Sequence, residues 1–407
     1  MKLYLKRVFK NPALQHRNFH LLSLDAILNA SGVAGERVIL SLLVYQVGDS
    51  SFWVGLTLAL YFTPMLFVGG PAGALADWMD RRLLLRMIEL AIAVILGLFG
   101  LLVLLGITEI WYLLGITLVS GSFHALYQPV RSSYAYDIVG REHVVAGLSF
   151  LNIAKRIGQL LGALLAGSVM QRFGAENAYF VLSGVHIMAF LILTKLSQIQ
   201  NSEKSEKPIS LFQNLREYVK ELRHNRTLLM LILVTASVEV FGFSFMTVLP
   251  EIATERIGVG AEGLGLLHAA EAIGGFGAGL ALAGLGRRWR RGILFLLIIF
   301  GYCLSLLALA LAPSLVLVLL ALGTVAGMAT SSDVLTQSMM QLNVRDRLRG
   351  RAMGVWSMAI SAAPLGHLEM GALAGQLGTS MALGINAGIL AVIAVLTYFL
   401  APKLRQL

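Results

Sequence analysis

The sequence predicts an all-α integral membrane protein with twelve transmembrane helices in two pseudo-symmetric six-helix bundles. Three observations carry that prediction. The 407 residues are 57% hydrophobic and only 13% charged, where a soluble domain carries roughly 25% charged residues. Apolar runs of about 20 residues, long enough to cross a bilayer, recur from Phe19 to Leu400 with short polar breaks between them. With the N-terminus in the cytoplasm, 27 of the 32 Lys and Arg residues fall on cytoplasmic segments, Arg37, Lys155 and Arg156 lie within helices, and only Arg172 and Arg256 fall outside. That asymmetry obeys the positive-inside rule and predicts both termini in the cytoplasm.

In chain order, the expected helices of the first half are 19–47, 52–76, 82–106, 110–135, 143–173 and 176–196. Those of the second half are 226–250, 261–286, 292–312, 314–341, 350–377 and 380–401. Basic breaks separate them on the inner side at 77–86, 131–143, 195–226, 287–291 and 345–351. The first run is far longer than the core of a signal peptide and has no cleavage motif, so it is expected to stay in the mature protein. Between the halves, residues 197–208 read SQIQNSEKSEKP, too polar to bury. Leu211, Phe212, Leu215, Tyr218, Val219 and Leu222 then recur opposite Arg216, Glu217, Lys220 and Arg223, the pattern of an amphipathic helix on the inner leaflet. The domains are therefore drawn at 1–196 and 226–407, with 197–225 as a cytoplasmic linker.

The halves repeat in sequence as well as in helix number. GALADWMDRR at 73–82 ends helix 2, and GLALAGLGRR at 279–288 ends helix 8. GALLAG at 162–167 in helix 5 is echoed by GALAG at 371–375 in helix 11. A six-plus-six repeat implies bundles related by an axis along the membrane normal, and the 42 glycines suit close, sliding helix contacts.

Residues 73–82 resemble the G-x-L-A-D-R-x-G-R-R signature of the major facilitator superfamily, departing at Trp78, where that family prefers Arg, and at Asp80, where it prefers Gly. The opening Phe19, Leu42 to Tyr45, and Arg349 to Gly354 are similar to the branch that holds macrolide efflux pumps and the enterobactin exporter. Arg156-Ile-Gly158 is similar to an Arg-Leu-Gly of the siderophore exporter. The proline usual in helix 5 is replaced by Ala163 or a neighbour, a departure from the antiporter pattern. The resemblance implies a transporter fold, with Gly73, Asp77, Arg81, Arg82 and Asp137 as a cytoplasmic gate: Asp77 against a helix N-terminus and Arg81 against Asp137.

Ionisable residues inside a membrane cost from about 2.5 kcal/mol upward and are functional candidates. Asp25, Asn29, Gly32 and Glu36 are spaced 4, 3 and 4 apart, on one helical face. Glu36 or Asp25 is expected as the proton or cation carrier; the alternatives are an Asp25 at the inner interface and a Glu36 paired with Arg37. Glu239, followed by Phe241, Phe243 and Phe245, suits a cationic or proton-coupled substrate with an apolar body. Glu271, Glu369 and His367 are further cavity candidates, each with interhelical hydrogen bonding as its alternative. Lys155 and Arg156 point about 100° apart, and Arg156 is chosen for the cavity, to hold an anion or act on a carboxylate. His124, Gln128 and Arg131 form a helical stripe, with Pro129 expected to kink it.

The chain has neither a phosphate-binding lysine loop nor a zinc-protease motif, and its single cysteine, Cys303, permits no intrachain disulfide. The resulting expectation is a non-enzymatic, proton-coupled exporter of an amphipathic drug or siderophore, acting as a monomer in the bacterial inner membrane. Its partners are protons, a small-molecule substrate and the lipid bilayer, with no cofactor, metal or nucleic acid. A lipid flippase, an uptake permease and a sensor of the same fold are the alternatives.

Overall fold

A computed structural model describes residues 15–197, 226–285, 291–342, 356 and 359–400, with the side chains of 68–78, 141–142, 145, 226–227, 283–285 and 341–342 left aside. Among the described residues every regular element is helical. In order these are α1 (Arg17–Gly48), α2 (Ser51–Trp78), α3 (Arg81–Leu104), α4 (Ile110–Gly140), α5 (Ala146–Phe173) and α6 (Ala175–Thr194). Then follow α7 (Leu228–Arg256), α8 (Gly260–Leu285), α9 (Arg291–Leu311), α10 (Leu315–Leu342), α11 (Ala363–Leu377) and α12 (Thr379–Leu400). Ten are long and apolar enough to cross a membrane; the apolar part of α2, Ser51–Phe67, and α11 are shorter. The amphipathic stretch at 211–223 and the repeat's Arg287 and Arg288 lie outside the described residues.

Local chemistry explains the breaks. Asp80 caps α3, its Oδ1 accepting from the Arg82 backbone N–H at 2.9 Å and from Arg82 Nε at 3.1 Å. Those bonds hold its carboxyl below the usual carboxylate range. The interruption between α4 and α5 falls at Gly140, with φ 70°, while helical backbone continues through Pro129, where a kink is expected from sequence. Gly174 (φ 89°) joins α5 to α6 and Gly378 (φ 81°) joins α11 to α12. Both sit in backbone space that L side chains avoid, so the two halves share this turn device.

The halves also share a helix contact. A Cβ on Gly162 of α5 would overlap the Ser31 carbonyl of α1, and one on Gly366 of α11 would overlap the Val240 carbonyl of α7. Backbone meets backbone in each case because no side chain intervenes. Packing divides the described chain into two compact units. The first runs to Leu40 and resumes at Phe67; the second combines Ser41–Leu66 with the residues from 226 onward. The end of α1 and the start of α2 thus pack with the C-terminal helices.

α7 departs most from regular geometry. It holds a π turn at Val238–Gly242, a 3-10 segment at Phe243–Val248 and a second π turn at Ile252–Arg256. Single π turns inside α-helices are frequent where a side chain must be re-aimed.

Candidate functional site

In the first unit, the polar face of α1 meets a partner at every turn. Tyr127 of α4 donates to Asp25 Oδ2 at 2.7 Å. Asn29 donates to Glu89 Oε1 of α3 at 2.8 Å, and Glu89 Oε2 lies 2.7 Å from His186 Nδ1 of α6. Gly32 leaves the room that the His186 ring fills. Glu36 accepts from the Ser120 hydroxyl at 2.6 Å and lies 2.8 Å from His124 Nε2. Asp25, Glu36, Glu89 and His186 are all 0% exposed, so each depends on the others for its hydrogen bonds. The two imidazoles stand 6.2 Å apart between ring centres, which places the Glu36–His124 and Glu89–His186 pairs side by side.

Cations gather beside this network. Arg131 is buried, donates to Gln128 at 2.9 Å and lies 5.6 Å over the Tyr127 ring. Arg131, Arg37 and Arg156 all act electrostatically on Lys155. Four basic residues therefore share one region, Lys155 and the three arginines. Glu36 takes Ser120 and His124 as hydrogen-bond partners; its sequence neighbour Arg37 is not among them. A polar chain of this kind can hold an anion against the cations and store protons on the acids.

In the second unit, the acids concentrate around α7. Glu239, 5% exposed, lies on the first π turn and interacts electrostatically with Asp333 of α10. Glu271 of α8 lies 3.0 Å from His268 Nδ1. Phe243 meets the Tyr302 ring of α9 edge-on at 6.4 Å. Glu369 accepts from Asn386 of α12 at 3.1 Å, and Asn386 also donates to Ser244 of α7. His367, on another face of α11, lies 3.0 Å from Thr247 and stacks on Phe62 at 5.5 Å, which makes it a packed interhelical residue.

Comparison with known proteins then settles the class. The family described as transmembrane secretion effector, within the major facilitator superfamily, matches residues 11–406. The chain belongs to this family. Among its relatives, the staphyloferrin A transporter of Staphylococcus aureus (strain NCTC 8325 / PS 47) is 22% identical over 88% of this chain and 89% of its own length. The enterobactin exporter of Shigella flexneri is 23% identical, over 96% of this chain and 94% of that protein. The fold resembles the solved bacterial homologue of the human lysosomal transporter Spinster, with TM-score 0.77, 16% identity and coverage of 97% and 98%. It also resembles the nucleoside transporter NupG, with TM-score 0.76, 13% identity and coverage of 93% and 98%. The chain is an integral membrane transporter, not an enzyme.

The residues of the 73–82 signature are visible in part. Arg81 Nη1 meets Asp137 Oδ1 at 2.6 Å, with side chains only 14% and 11% exposed, and Arg82 pairs with Asp80. Gly73 and Asp77 lie on α2, where side chains are outside the described residues. Sequence reading missed Glu89, His186, Ser120 and Asp333. The signal for three of them was present: Glu89 is the only acid within the α3 run, His186 the only histidine of α6 and Asp333 the only acid of α10. Ser120 carried none, since a serine inside a helix most often bonds its own backbone.

Proposed function

We propose that the chain is a proton-coupled exporter of an amphipathic small molecule, a drug or siderophore, in the bacterial inner membrane. It works by alternating access of bundles 1–196 and 226–407 across the 197–225 linker, as a monomer. The observation that supports this reading is the pair of buried carboxylate–imidazole contacts, Glu36–His124 and Glu89–His186. Each pair sets a carboxylate against an imidazole, two groups between which a proton can pass. A protein that only bound its ligand would have no use for two such pairs at the expense of burying them. The three arginines around Lys155 complement an anionic group on the cargo. Their field is what a siderophore carboxylate or catecholate would meet, in keeping with the relatives' names.

The decisive assay is transport by the purified chain in vesicles with an imposed pH difference. Substrate should accumulate against its gradient, and collapsing the pH difference should stop it. Movement that ignores the pH difference would remove proton coupling and leave only a transporter.

Both termini and the region around Asn201 are proposed to be cytoplasmic. A cysteine placed at Asn201 should resist an impermeant thiol reagent in intact cells, while one at Asp49 reacts; the opposite result would invert the topology.

Arg81 and Asp137, with Gly73, Asp77 and Arg82, are proposed as the cytoplasmic gate. Fully exposed ion pairs are worth less than about 1 kcal/mol, but this one is largely buried. Arg81→Asp should open the cytoplasmic side, shifting the conformer ratio about tenfold if about 1.4 kcal/mol is lost. Adding Asp137→Arg should restore it. Spin-label distances across the cytoplasmic ends read the shift, and unchanged distances in the single variant would rule the gate out.

A further inference from the structure

A cavity of about 390 Å³ opens in the second unit, between the end of α7 and the turn that joins α11 to α12. Small-molecule sites run from about 300 Å³ upward, so it has room for a polar head group. Its two walls carry opposite charge. On the α7 side stand Glu251 and Glu255, the first half-buried and the second exposed. Ser51 donates to Glu251 Oε2 at 2.5 Å and Tyr45 to Glu255 Oε1 at 2.8 Å. The second oxygen of each carboxylate has no hydrogen bond among the described residues.

On the other side, Thr379, Ser380 and Met381 line the cavity as the start of the 22-residue helix α12. Their backbone N–H groups have no carbonyl one turn earlier in that helix, and this end carries its positive partial charge. Thr379 is only 7% exposed, yet its hydroxyl finds no partner among the described residues. A buried hydroxyl normally has one. Arg256 adds a full positive charge to the lining. Its guanidinium donates to the carbonyls of Leu309, Ala310 and Ala312 at 3.1, 2.8 and 2.6 Å, and Ser380 donates to the same Ala310 carbonyl at 2.9 Å. These bonds tie α7 and α12 to the end of α9 and fix the floor.

We infer that this cavity binds the head group of a zwitterionic lipid with a primary ammonium, a phosphoethanolamine. Its ammonium would sit on Glu251 and Glu255, and its phosphate on the α12 N-terminus and the Thr379 hydroxyl. A simple ion meets one wall of its own sign, whereas a zwitterion meets an opposite charge on each. The ammonium brings three N–H donors to the free carboxylate oxygens, and the phosphate accepts from the backbone N–H groups and from Thr379. A quaternary ammonium has no N–H to donate, so a phosphocholine gains less. The rim favours a lipid over a free zwitterion. Leu377 and Met381 border the cavity and are 47% and 60% exposed, an apolar edge for acyl chains. The site also lies at the ends of Leu228–Arg256 and Thr379–Leu400, two runs long enough to cross the membrane, where head groups lie.

Lipid binding here needs neither a cargo nor a proton gradient. The test is native mass spectrometry of the full-length chain released from micelles doped with equal phosphatidylethanolamine and phosphatidylcholine. The parent should carry the first in about tenfold excess. Glu251→Gln and Glu255→Gln should each bring that ratio toward one, because a glutamine still accepts from Ser51 or Tyr45 but no longer attracts an ammonium. Glu255→Asp should keep most of the preference, which separates loss of charge from loss of fold. Thr379→Val removes a donor to the phosphate and should lower both lipids together without changing their ratio. Glu262→Gln, exposed on α8 and outside the cavity, should bind as the parent does. No preference in the parent, or an equal preference in the parent and both glutamine variants, would overturn the site. Displacement of the lipid by soluble phosphoethanolamine at equal concentration would overturn the lipid assignment in favour of a free zwitterion.

Discussion

Glu36→Gln is expected to abolish gradient-driven transport while leaving the protein folded. The glutamine is nearly isosteric, its carbonyl can still accept from Ser120, and its amide can still donate to His124, so the buried polar groups stay paired. What disappears is the ability of that position to gain and lose a proton. A pH difference of one unit supplies about 1.4 kcal/mol per proton, enough to hold a roughly tenfold substrate gradient at one proton per cycle. In the variant that ratio should fall to about one, while exchange of substrate down its own gradient continues. The Glu89–His186 pair, which Asn29 also contacts, is the control. If Glu36→Gln still concentrates substrate at the parental ratio, Glu36 is not the coupling group. The same assay on Glu89→Gln then asks whether the second pair carries the proton.

Gly162→Leu is expected to produce the largest loss of stability. A side chain at this position would enter the backbone of Ser31, and backbone cannot swing aside as a flexible side chain can. One turn earlier the same two helices are tied by the Ser31 hydroxyl, which donates to the Gly158 carbonyl at 3.0 Å. Forcing α1 from α5 therefore breaks a hydrogen bond as well as a packed seam. Overpacking of this kind costs on the order of 3 kcal/mol, which corresponds to a fall of roughly 10 °C in the melting temperature in detergent. Gly184→Ala, where an added Cβ meets nothing within 4 Å, should melt within about 2 °C of the parent. Equal melting of Gly162→Leu and the parent would mean that the close α1–α5 seam does not form.

Helix positions were legible because each is a local matter of apolar length. Residues 82–106 were expected where α3 runs Arg81–Leu104, and 380–401 where α12 runs Thr379–Leu400. Hydropathy also marked α7, but its π and 3-10 segments were invisible, since Gly242 and Pro250 also suit a regular membrane helix. The α1 face was readable from spacing alone, because residues four apart must share a face. Its partners were not. Glu36 could be placed on that face, yet whether it met Arg37, lipid or His124 depended on where α4 lies.

What the sequence determines by itself is the solvent of the chain, the number and approximate limits of its apolar runs, the two-fold repeat and the family signature. These follow from composition, period and short motifs, each contained within a few tens of residues. Only the tertiary structure joins Asn29 and His186 through Glu89, brings Lys155 among three arginines, and sets Phe243 edge-on to Tyr302. The physical reason is range. A hydrogen bond or a charge interaction is decided over a few ångströms of space, and residues 97 positions apart, such as Glu89 and His186, come within that distance only when their helices pack.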